Sequence, residues 1–408
     1  MSMRLPSGLG TGMAVALCGS LLVGCGAADD GNASVTEDGA ASAETQSALS
    51  RATQSAGASS SPLAVFAVAP PEAVPTSDGR RHLLYELVLQ NLTSTAVRVD
   101  RLLVSDAARH ASIADFQGEA LNQIFVTDGN APSATDVLPG AFALTFVDLS
   151  FAVFGSVPNV LRHTFTSRVN GRSRLLAALD VPVEQARPIE LGPPLRGSHL
   201  VDLNGCCNSI HTRALLAVDG KLANAQRFAI DFLRARGNTS FAGDPGKNES
   251  YFLYGADVLA AAGGQIVAAR DGMAENVPPR PLDADVETAP GNYLVEQIDE
   301  GHYALYAHLK PSSLRVRVGD RVRRGQVLGA VGNSGESTEP HLHFQVMDGP
   351  VPLAQNGLPY VFDCFELEAR VDDAPTGPVL VPAPGPKQRR HQLPMNLDVV
   401  GFPERCAP

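Results

Sequence analysis

Gly332-Asn-Ser-Gly-Glu-Ser-Thr-Glu-Pro-His-Leu-His-Phe-Gln-Val346 is the stretch that decides the fold of the C-terminal half of this chain. A polar, glycine-containing loop leads into a segment in which His341, His343 and Gln345 alternate with apolar residues. Side chains at i and i+2 of a strand point to one face, about 7 Å apart. The pattern therefore predicts a short strand that directs two imidazoles to one spot and packs its other face into a core.

Two imidazoles on one face suit a metal ligand and a neighbour that transfers protons or stabilises an oxyanion. An isolated His-x-His is more typical of two surface histidines on an edge strand. The hypothesis of a functional site therefore depends on stretches further upstream.

Length and composition exclude some classes of protein. The chain has 408 residues, enough for two domains or slightly more. Its formal net charge of -11 argues against nucleic acid as a partner. The 38 glycines and 30 prolines, with only 6% aromatic residues, favour β-structure with many turns over a helical bundle. We therefore expect an all-β protein.

Residues 1–24 have the pattern of a secretory signal, because Arg4 precedes an apolar run, 13–23, that is too short to span a bilayer as a stable helix. The run ends in Leu22-Val-Gly-Cys25, which resembles a bacterial lipobox. We expect Cys25 to be lipidated and to attach the exported protein to a membrane of the bacterial envelope. An ordinary signal peptide followed by a chance cysteine is the alternative.

The segment that follows the lipobox is typical of a tether. Residues 25–62 are rich in Ala, Ser, Thr and Gly and contain almost no large apolar side chains, so they cannot offset the entropy of ordering. Gly26, in place of an acidic residue after the cysteine, favours the outer membrane, with the protein facing the periplasm or the cell surface.

Residues 63–191 show short strands separated by turns. The mostly apolar run 82–89 is followed by a turn at 91–94, and residues 142–146 alternate after the turn at 138–140. This spacing predicts an antiparallel β-sandwich of immunoglobulin-like type.

A linker at 191–197 separates the sandwich from a second β-rich domain, which we place at 198–370, with a C-terminal tail at 371–408. Within it, 292–298 and 302–309 flank a polar turn and predict a β-hairpin.

The motifs of the second domain stand in the order seen in the LytM-type M23 zinc metallopeptidases, which the chain resembles over roughly residues 220–350. They are Tyr306-Ala-His308-Leu309, Val318–Val322, Gly325-Gln326, Gly329–Gly335 and Pro340–Phe344. The resemblance implies a β-rich, lysostaphin-like domain that uses Zn²⁺ to hydrolyse peptides. Many members of the family cut the peptide cross-links of bacterial cell walls, so peptidoglycan peptide is the expected substrate or ligand.

The resemblance also implies roles for individual residues. Members of the family bind zinc with a His-x-x-x-Asp pair and a later histidine, and two more histidines lie beside the metal. Here Asp231 corresponds to the aspartate ligand and His343 to the later histidine, while His308 and His341 correspond to the two that do not bind the metal. Zinc with three protein ligands retains an open position for water, and nearby histidines can stabilise the oxyanion.

The first ligand position departs from the family pattern. Arg227 stands four residues before Asp231, where the family has histidine, and arginine has no lone pair to offer a metal. Three interpretations remain open. His211 replaces the missing ligand; Asp231 and His343 alone bind the metal weakly; or the domain is a catalytically inactive relative that binds peptidoglycan or activates another wall hydrolase.

Three more residues are candidates for the surroundings of the site. If its segment is a strand, Arg227 shares a face with Asp231 and serves as a partner of that carboxylate or of a substrate carboxylate. His302 and Tyr306 lie on the face of His308 by period-two spacing, so we expect them at the rim of the site or in contact with substrate.

Four cysteines, Cys206, Cys207, Cys364 and Cys406, remain after the signal and the lipid site. In an oxidising compartment an even number predicts disulfides, and four cysteines allow three pairings. Adjacent cysteines seldom bridge each other. We therefore expect a disulfide from the Cys206-Cys207 pair to the C-terminal segment.

Overall fold

A computed structural model describes residues 61–127, 129–169, 171–281, 284–374, 377–383, 385 and 387–404. The expected signal, nearly all of the tether and Cys25 lie outside the described residues, as does Cys406. The described part is almost entirely β, which confirms the predicted fold class. Within it, no helix has both the length and the apolar character needed to cross a membrane.

The described residues of the N-terminal part form eleven strands and one short helix. They are β1 (Leu63–Ala67), β2 (Ala73–Pro75), β3 (Arg80–Asn91), β4 (Val97–Arg98), β5 (Arg101–Asp106), β6 (Ser112–Gln117), α1 (Gly118–Ile124), β7 (Phe125–Val126), β8 (Asp136–Val137), β9 (Phe142–Ala152), β10 (Val160–Val169) and β11 (Arg172–Pro182).

Nine of these strands form the two sheets of a sandwich, and β4 and β8 pair with each other apart from them. One sheet has the order β1-β3-β9-β7, with β2 paired to β3, and the other has the order β11-β10-β5-β6. The pairs within both sheets are antiparallel. Apolar residues from both sheets share one core. The immunoglobulin-like type of this sandwich stays a prediction.

Strand β3 is buried on both faces, which explains its nearly continuous apolar sequence. Leu83, Tyr85 and Leu87 pack into the core of the sandwich. Leu84 belongs to the core of the C-terminal part, and Glu86 on the same face is also buried. The two parts therefore meet on this face of β3, through an apolar contact at Leu84 and a polar one at Glu86.

The C-terminal part contains seventeen described strands and two 3₁₀ helices, His211–Arg213 and Asn248–Ser250. The strands are β12 (Ile189–Leu191), β13 (Gly197–Leu203), β14 (Leu215–Val218), β15 (Lys221–Asn224), β16 (Ile230–Arg234), β17 (Asp257–Leu259), β18 (Gly264–Arg270), β19 (Asn292–Asp299), β20 (His302–Leu309), β21 (Arg321–Val322), β22 (Val327–Ala330), β23 (Leu342–Met347), β24 (Gly357–Leu358), β25 (Tyr360–Ala374), β26 (Gly377–Pro382), β27 (Gln388–Gln392) and β28 (Asp398–Phe402).

One large sheet organises this part, with the order β12-β25-β28-β13-β16-β23-β20-β19-β18-β21. The predicted hairpin is confirmed, because β19 and β20 pair antiparallel. The predicted histidine strand is β23, which lies between β16 and β20. These three neighbouring strands bring together residues that are more than 100 positions apart in sequence.

Two predicted boundaries are wrong. The segment 371–408 is not a tail, because β25 continues to Ala374 and β28 lies between β25 and β13 in the large sheet. Residues 189–191, assigned to the sandwich, form β12, which pairs in parallel with β25. Only the tertiary structure shows that these segments complete the second sheet.

The predicted disulfide from the Cys206-Cys207 pair to the C-terminal segment is also wrong. Cys206 and Cys207 form a disulfide with each other, so neither sulfur remains for a longer link. Cys364 is disulfide-bonded as well. The pair still contacts the C-terminal segment without a covalent bond, since the Cys207 and Met395 sulfurs are 3.9 Å apart.

Candidate metal centre

Asp231 and His343 face each other across two neighbouring strands. Asp231 of β16 is directly opposite His343 of β23 in the antiparallel register. Opposed residues project to the same side of a sheet, so their side chains meet. The His343 Nδ1 atom is 2.8 Å from the Asp231 Oδ1 atom. The strand register alone therefore brings together two of the expected ligands.

His211 reaches the same carboxylate from the 3₁₀ helix His211–Arg213. Its Nε2 atom is 3.3 Å from Asp231 Oδ2, and its ring centroid is 5.0 Å from that of His343. Its Nδ1–H donates to the Ala229 carbonyl at 3.3 Å, because a carbonyl can only accept. Nε2 is therefore the ring nitrogen that faces Asp231 and that would bind a metal held beside it.

Gln345 orients His343 in the same way. The Gln345 amide nitrogen donates to the Ala225 carbonyl at 3.0 Å, so its oxygen faces His343. That oxygen accepts from His343 Nε2–H at 2.7 Å. Nδ1 of His343 is therefore the ring nitrogen that faces Asp231 and that would bind a metal held between the two side chains.

The Asp231 carboxylate lies at the centre of the cluster. Asn204 donates to its Oδ2 atom at 2.8 Å, from a backbone with a φ of 58° that asparagine tolerates better than most residues. Burial raises the pKa of Asp231, but the charges and hydrogen bonds of His211 and His341 outweigh burial and hold that pKa well below its usual range. The group is therefore an ionised acceptor.

This donor set fits a zinc ion. One donor atom each from His211, Asp231 and His343 lie within 4.8 Å of one another. Two ligands about 2.1 Å from a tetrahedral ion are about 3.4 Å apart, which is within the 4.8 Å that these donor atoms span. Two imidazole nitrogens and a carboxylate oxygen, with a fourth position open, are the ligands and geometry of catalytic zinc sites.

His308 and His341 lie beside these three residues, with ring centroids 4.6 Å apart. His341 Nε2 is 3.4 Å from Asp231 Oδ1, and its Nδ1–H donates to the Glu339 carbonyl at 2.8 Å. His308 Nδ1–H donates to the Ser334 carbonyl at 2.8 Å. In both rings a backbone carbonyl accepts from Nδ1–H, and Nε2 is the nitrogen left to act on a ligand.

The pKa values of the two histidines shift in opposite directions. Burial lowers the pKa of His308 well below its usual range, and the charges of His341 and His343 add to that effect. Burial also lowers the pKa of His341, but the charge and hydrogen bond of Asp231 outweigh burial and raise it. One neutral and one readily protonated imidazole next to each other can share acid and base roles.

The glycine loop that precedes the histidines packs closely against His308. Gly332 N–H donates to the His308 carbonyl at 3.2 Å. A Cβ atom on Gly332 would lie 2.4 Å from the Lys310 backbone nitrogen, so only glycine fits there. His308 itself has a φ of 60°, which interrupts the alternation of β20 near its end.

Arg227 is not at the carboxylate of Asp231, contrary to expectation. Strand β16 begins at Ile230, so the shared strand face does not extend back to Arg227. The guanidinium is buried and pairs with Glu86, with Arg227 Nη2 2.6 Å from Glu86 Oε2. A buried, paired guanidinium cannot bind a substrate carboxylate, so that expectation is wrong.

Two other expected site residues lie elsewhere. Tyr306 is fully buried, and its hydroxyl donates to Glu296 at 2.6 Å and accepts from Ala261 N–H at 2.7 Å. His302 is at the far end of β20, about 20 Å along the strand from His308, and contacts Asp299 at 2.6 Å. Neither residue reaches the cluster, because core packing and strand length separate them from it.

Sequence reasoning missed the supporting roles of Asn204, Gln345 and Glu86. Gln345 had a usable signal, since it lies two residues after His343 on the same strand face. Asn204 and Glu86 had none, because their partners are 27 and 141 positions away.

Comparison with known proteins gives a family match over part of the chain. Residues 251–355 match the model of Peptidase family M23. That range contains His308, His341 and His343 and begins after His211 and Asp231. Over it, the chain is similar to proteins that are peptidases.

Three relatives illustrate the similarity. Glycyl-glycine endopeptidase ALE-1 of Staphylococcus capitis is 37% identical over 117 residues, 26% of this chain and 28% of that protein. Peptidoglycan DD-endopeptidase ShyC of Vibrio cholerae is 32% identical over 93 residues, 23% of this chain and 19% of that protein. The matches therefore span less than a third of either relative. The solved catalytic domain of lysostaphin from Staphylococcus simulans has 26% identity, covers 35% of this chain and 80% of that domain, and gives a TM-score of 0.22.

Proposed function

We propose that this protein is a zinc metalloendopeptidase that hydrolyses peptide cross-links of bacterial cell wall. The observation that carries the proposal is the convergence of His211, Asp231 and His343, with His308 and His341 alongside. His211 stands where a third donor is needed, so Arg227 at the family's first ligand position does not by itself leave the site incomplete. The peptidoglycan DD-endopeptidases among the similar proteins support the substrate class.

The proposed division of labour follows from the hydrogen bonds. His211, Asp231 and His343 would hold the ion, and Ala229 and Gln345 fix the two ligand rings. When bound, zinc would polarise the scissile carbonyl and the attacking water.

His308 and His341 would handle protons at Nε2. A neutral ring accepts the proton of the attacking water there, and a protonated ring donates to the oxyanion or to the leaving amine. The side chains of Asp231 and His341 are 13% and 12% exposed, more than those of His211 and His343, so substrate would enter over these two residues.

Zinc content and wall digestion, measured together, test the proposal. We expect the purified wild type to contain close to one zinc per chain and to release cross-link peptides from purified peptidoglycan. His343→Ala should lose both the zinc and the activity. His308→Ala should keep the zinc and lose activity.

The binding-only alternative predicts a different result. A wild type that binds peptidoglycan but contains no zinc, even after incubation with it, would contradict the enzyme. Zinc retained in full by His343→Ala would contradict the proposed ligand set.

We further propose that the protein is exported and anchored to the bacterial envelope through lipid on Cys25, with the outer membrane favoured. The support is the lipobox-like Leu22–Cys25 and the tether-like composition that follows it. Both lie outside the described residues.

A further inference from the structure

Glu86 is a buried carboxylate of the sandwich whose partners all belong to the C-terminal part. It is 1% exposed and lies on the face of β3 that packs against that part. It accepts hydrogen bonds from Arg227 Nε at 3.0 Å and Arg227 Nη2 at 2.6 Å. It also accepts from Asn224 Nδ2 at 2.7 Å. A buried carboxylate with three charged or polar donors is held in one orientation.

The segment 224–231 that Glu86 holds contacts all three candidate ligands. It contains Asp231, its Ala229 carbonyl accepts from His211, and its Ala225 carbonyl accepts from the amide that orients His343. Any shift of this segment therefore displaces every donor of the cluster.

Both anchors of the segment also reach beyond it. Asn224 Nδ2 donates to the carbonyl of Thr212, the residue after His211, at 2.9 Å. Arg227 Nη1 donates to the Gly357 carbonyl at 3.0 Å, in β24, which pairs with the histidine strand β23. Glu86 thus stands at the start of two hydrogen-bonded paths, one to the His211 helix and one to the sheet that carries His343.

We propose that Glu86 is a positioning residue of the metal centre, supplied by the sandwich, and that Arg227 is its partner in that role. The inference rests on the proposed function, because it requires a centre that binds zinc. It also gives a physical reason for the arginine at the family's first ligand position. The side chain there fixes the backbone that carries the ligands, while His211 supplies the donor atom.

Zinc affinity of the full chain tests this role. The affinity is measured by competition with a chromophoric chelator, and the absorption spectrum of bound Co²⁺ reports the ligand geometry. We expect Glu86→Gln to weaken zinc binding roughly 10- to 100-fold, the usual effect of losing a partner that orients ligands, and to change the Co²⁺ spectrum. Asn224→Ala should give a smaller loss, since it removes only the path to Thr212.

A matched control separates positioning from general stability. Val104 is fully buried in the sandwich core on the other sheet, so Val104→Ala should lower the melting temperature and leave the zinc affinity and Co²⁺ spectrum unchanged.

Glu86→Gln leaves the buried guanidinium of Arg227 without its counter-charge, which destabilises the folded protein. The charge-free pair Glu86→Leu with Arg227→Met avoids that problem and should show the same loss of affinity. Folded variants at Glu86 with wild-type affinity and spectrum would refute the positioning role and leave the proposed function intact. A wild type that binds no zinc would overturn both, since there would be no centre to position.

Discussion

Glu296 should reduce the stability of the folded protein at neutral and alkaline pH. It lies on β19 and is fully buried. One carboxylate oxygen accepts from the Tyr306 hydroxyl at 2.6 Å, and the other has no hydrogen-bond partner among the described residues. Burial raises the pKa of Glu296 from 4.5 to about 7, against the opposing effects of hydrogen bonds from the Tyr306 hydroxyl and the Ala262 backbone. The substitution that tests this is Glu296→Gln, which is nearly isosteric, keeps an acceptor for Tyr306 and carries no charge.

The sign and size follow from linkage between protonation and folding. The unfolded chain ionises Glu296 near pH 4.5, whereas the folded chain does so only near pH 7, so folding is opposed once the unfolded group is ionised. One pKa unit corresponds to about 1.4 kcal/mol, and a shift from 4.5 to about 7 gives about 3 kcal/mol. We expect Glu296→Gln to be about 3 kcal/mol more stable than the wild type at pH 8 and nearly equal to it at pH 4.

Urea unfolding of both proteins at pH 4, 6 and 8 measures this difference as the change in midpoint multiplied by the slope. Zinc content should be the same in both, because Glu296 contacts none of the candidate ligands. Tyr306→Phe is the control: it leaves the carboxylate without its donor and should increase the pH dependence. A stability difference that stays constant from pH 4 to pH 8, or a wild type more stable than Glu296→Gln at pH 8, would refute the reasoning.

Three other predictions concern the donor cluster, the sandwich and the anchor. His211→Ala should weaken zinc binding by at least about 100-fold, because the loss of a residue that only orients a ligand already lowers metal affinity about 10- to 100-fold. If His211→Ala keeps wild-type affinity in a chelator competition, His211 is not a ligand and only Asp231 and His343 bind the metal. Burial lowers the pKa of His82, but hydrogen bonds to Asp148 and Asp78 outweigh burial and raise it to about 9. Protonated His82 therefore stabilises the folded protein fully below pH 6.5, and this contribution is lost as the pH rises through about 9. The unfolding free energy of His82→Gln should therefore be lower than that of the wild type by at most about 3 kcal/mol at pH 6 and converge with it at pH 10; a gap independent of pH would contradict this. Cys25→Ala should move the protein from the membrane fraction to the soluble fraction or block its maturation, and an unchanged fractionation would contradict lipid anchoring.

Local pattern was enough for the elements that carry the histidines. The alternation of His341, His343 and Gln345 with apolar residues predicted β23, and the polar turn between two apolar runs predicted the β19–β20 hairpin. Such features are readable because period-two burial and turn chemistry depend on residues that are close in sequence.

The same local reasoning failed where a side chain's partner is distant. Arg227 and Tyr306 were expected at the site, but Glu86 and Glu296 accept their hydrogen bonds and hold them in the interior. Period two placed His302 on the face of His308, but the φ of 60° at His308 interrupts the alternation, and His302 also lies at the far end of β20.

The sequence by itself determined the β-rich class, the histidine strand and the set of residues from which a zinc centre could be assembled. Only the tertiary structure decided which of these residues meet. The register of β16 against β23 places Asp231 directly opposite His343, and Glu86 of the sandwich binds the segment 224–231, which contacts His211. The physical reason is that strand periodicity is encoded by neighbouring residues, whereas the position of a donor atom depends on sheet order and on buried polar partners contributed from more than 100 residues away.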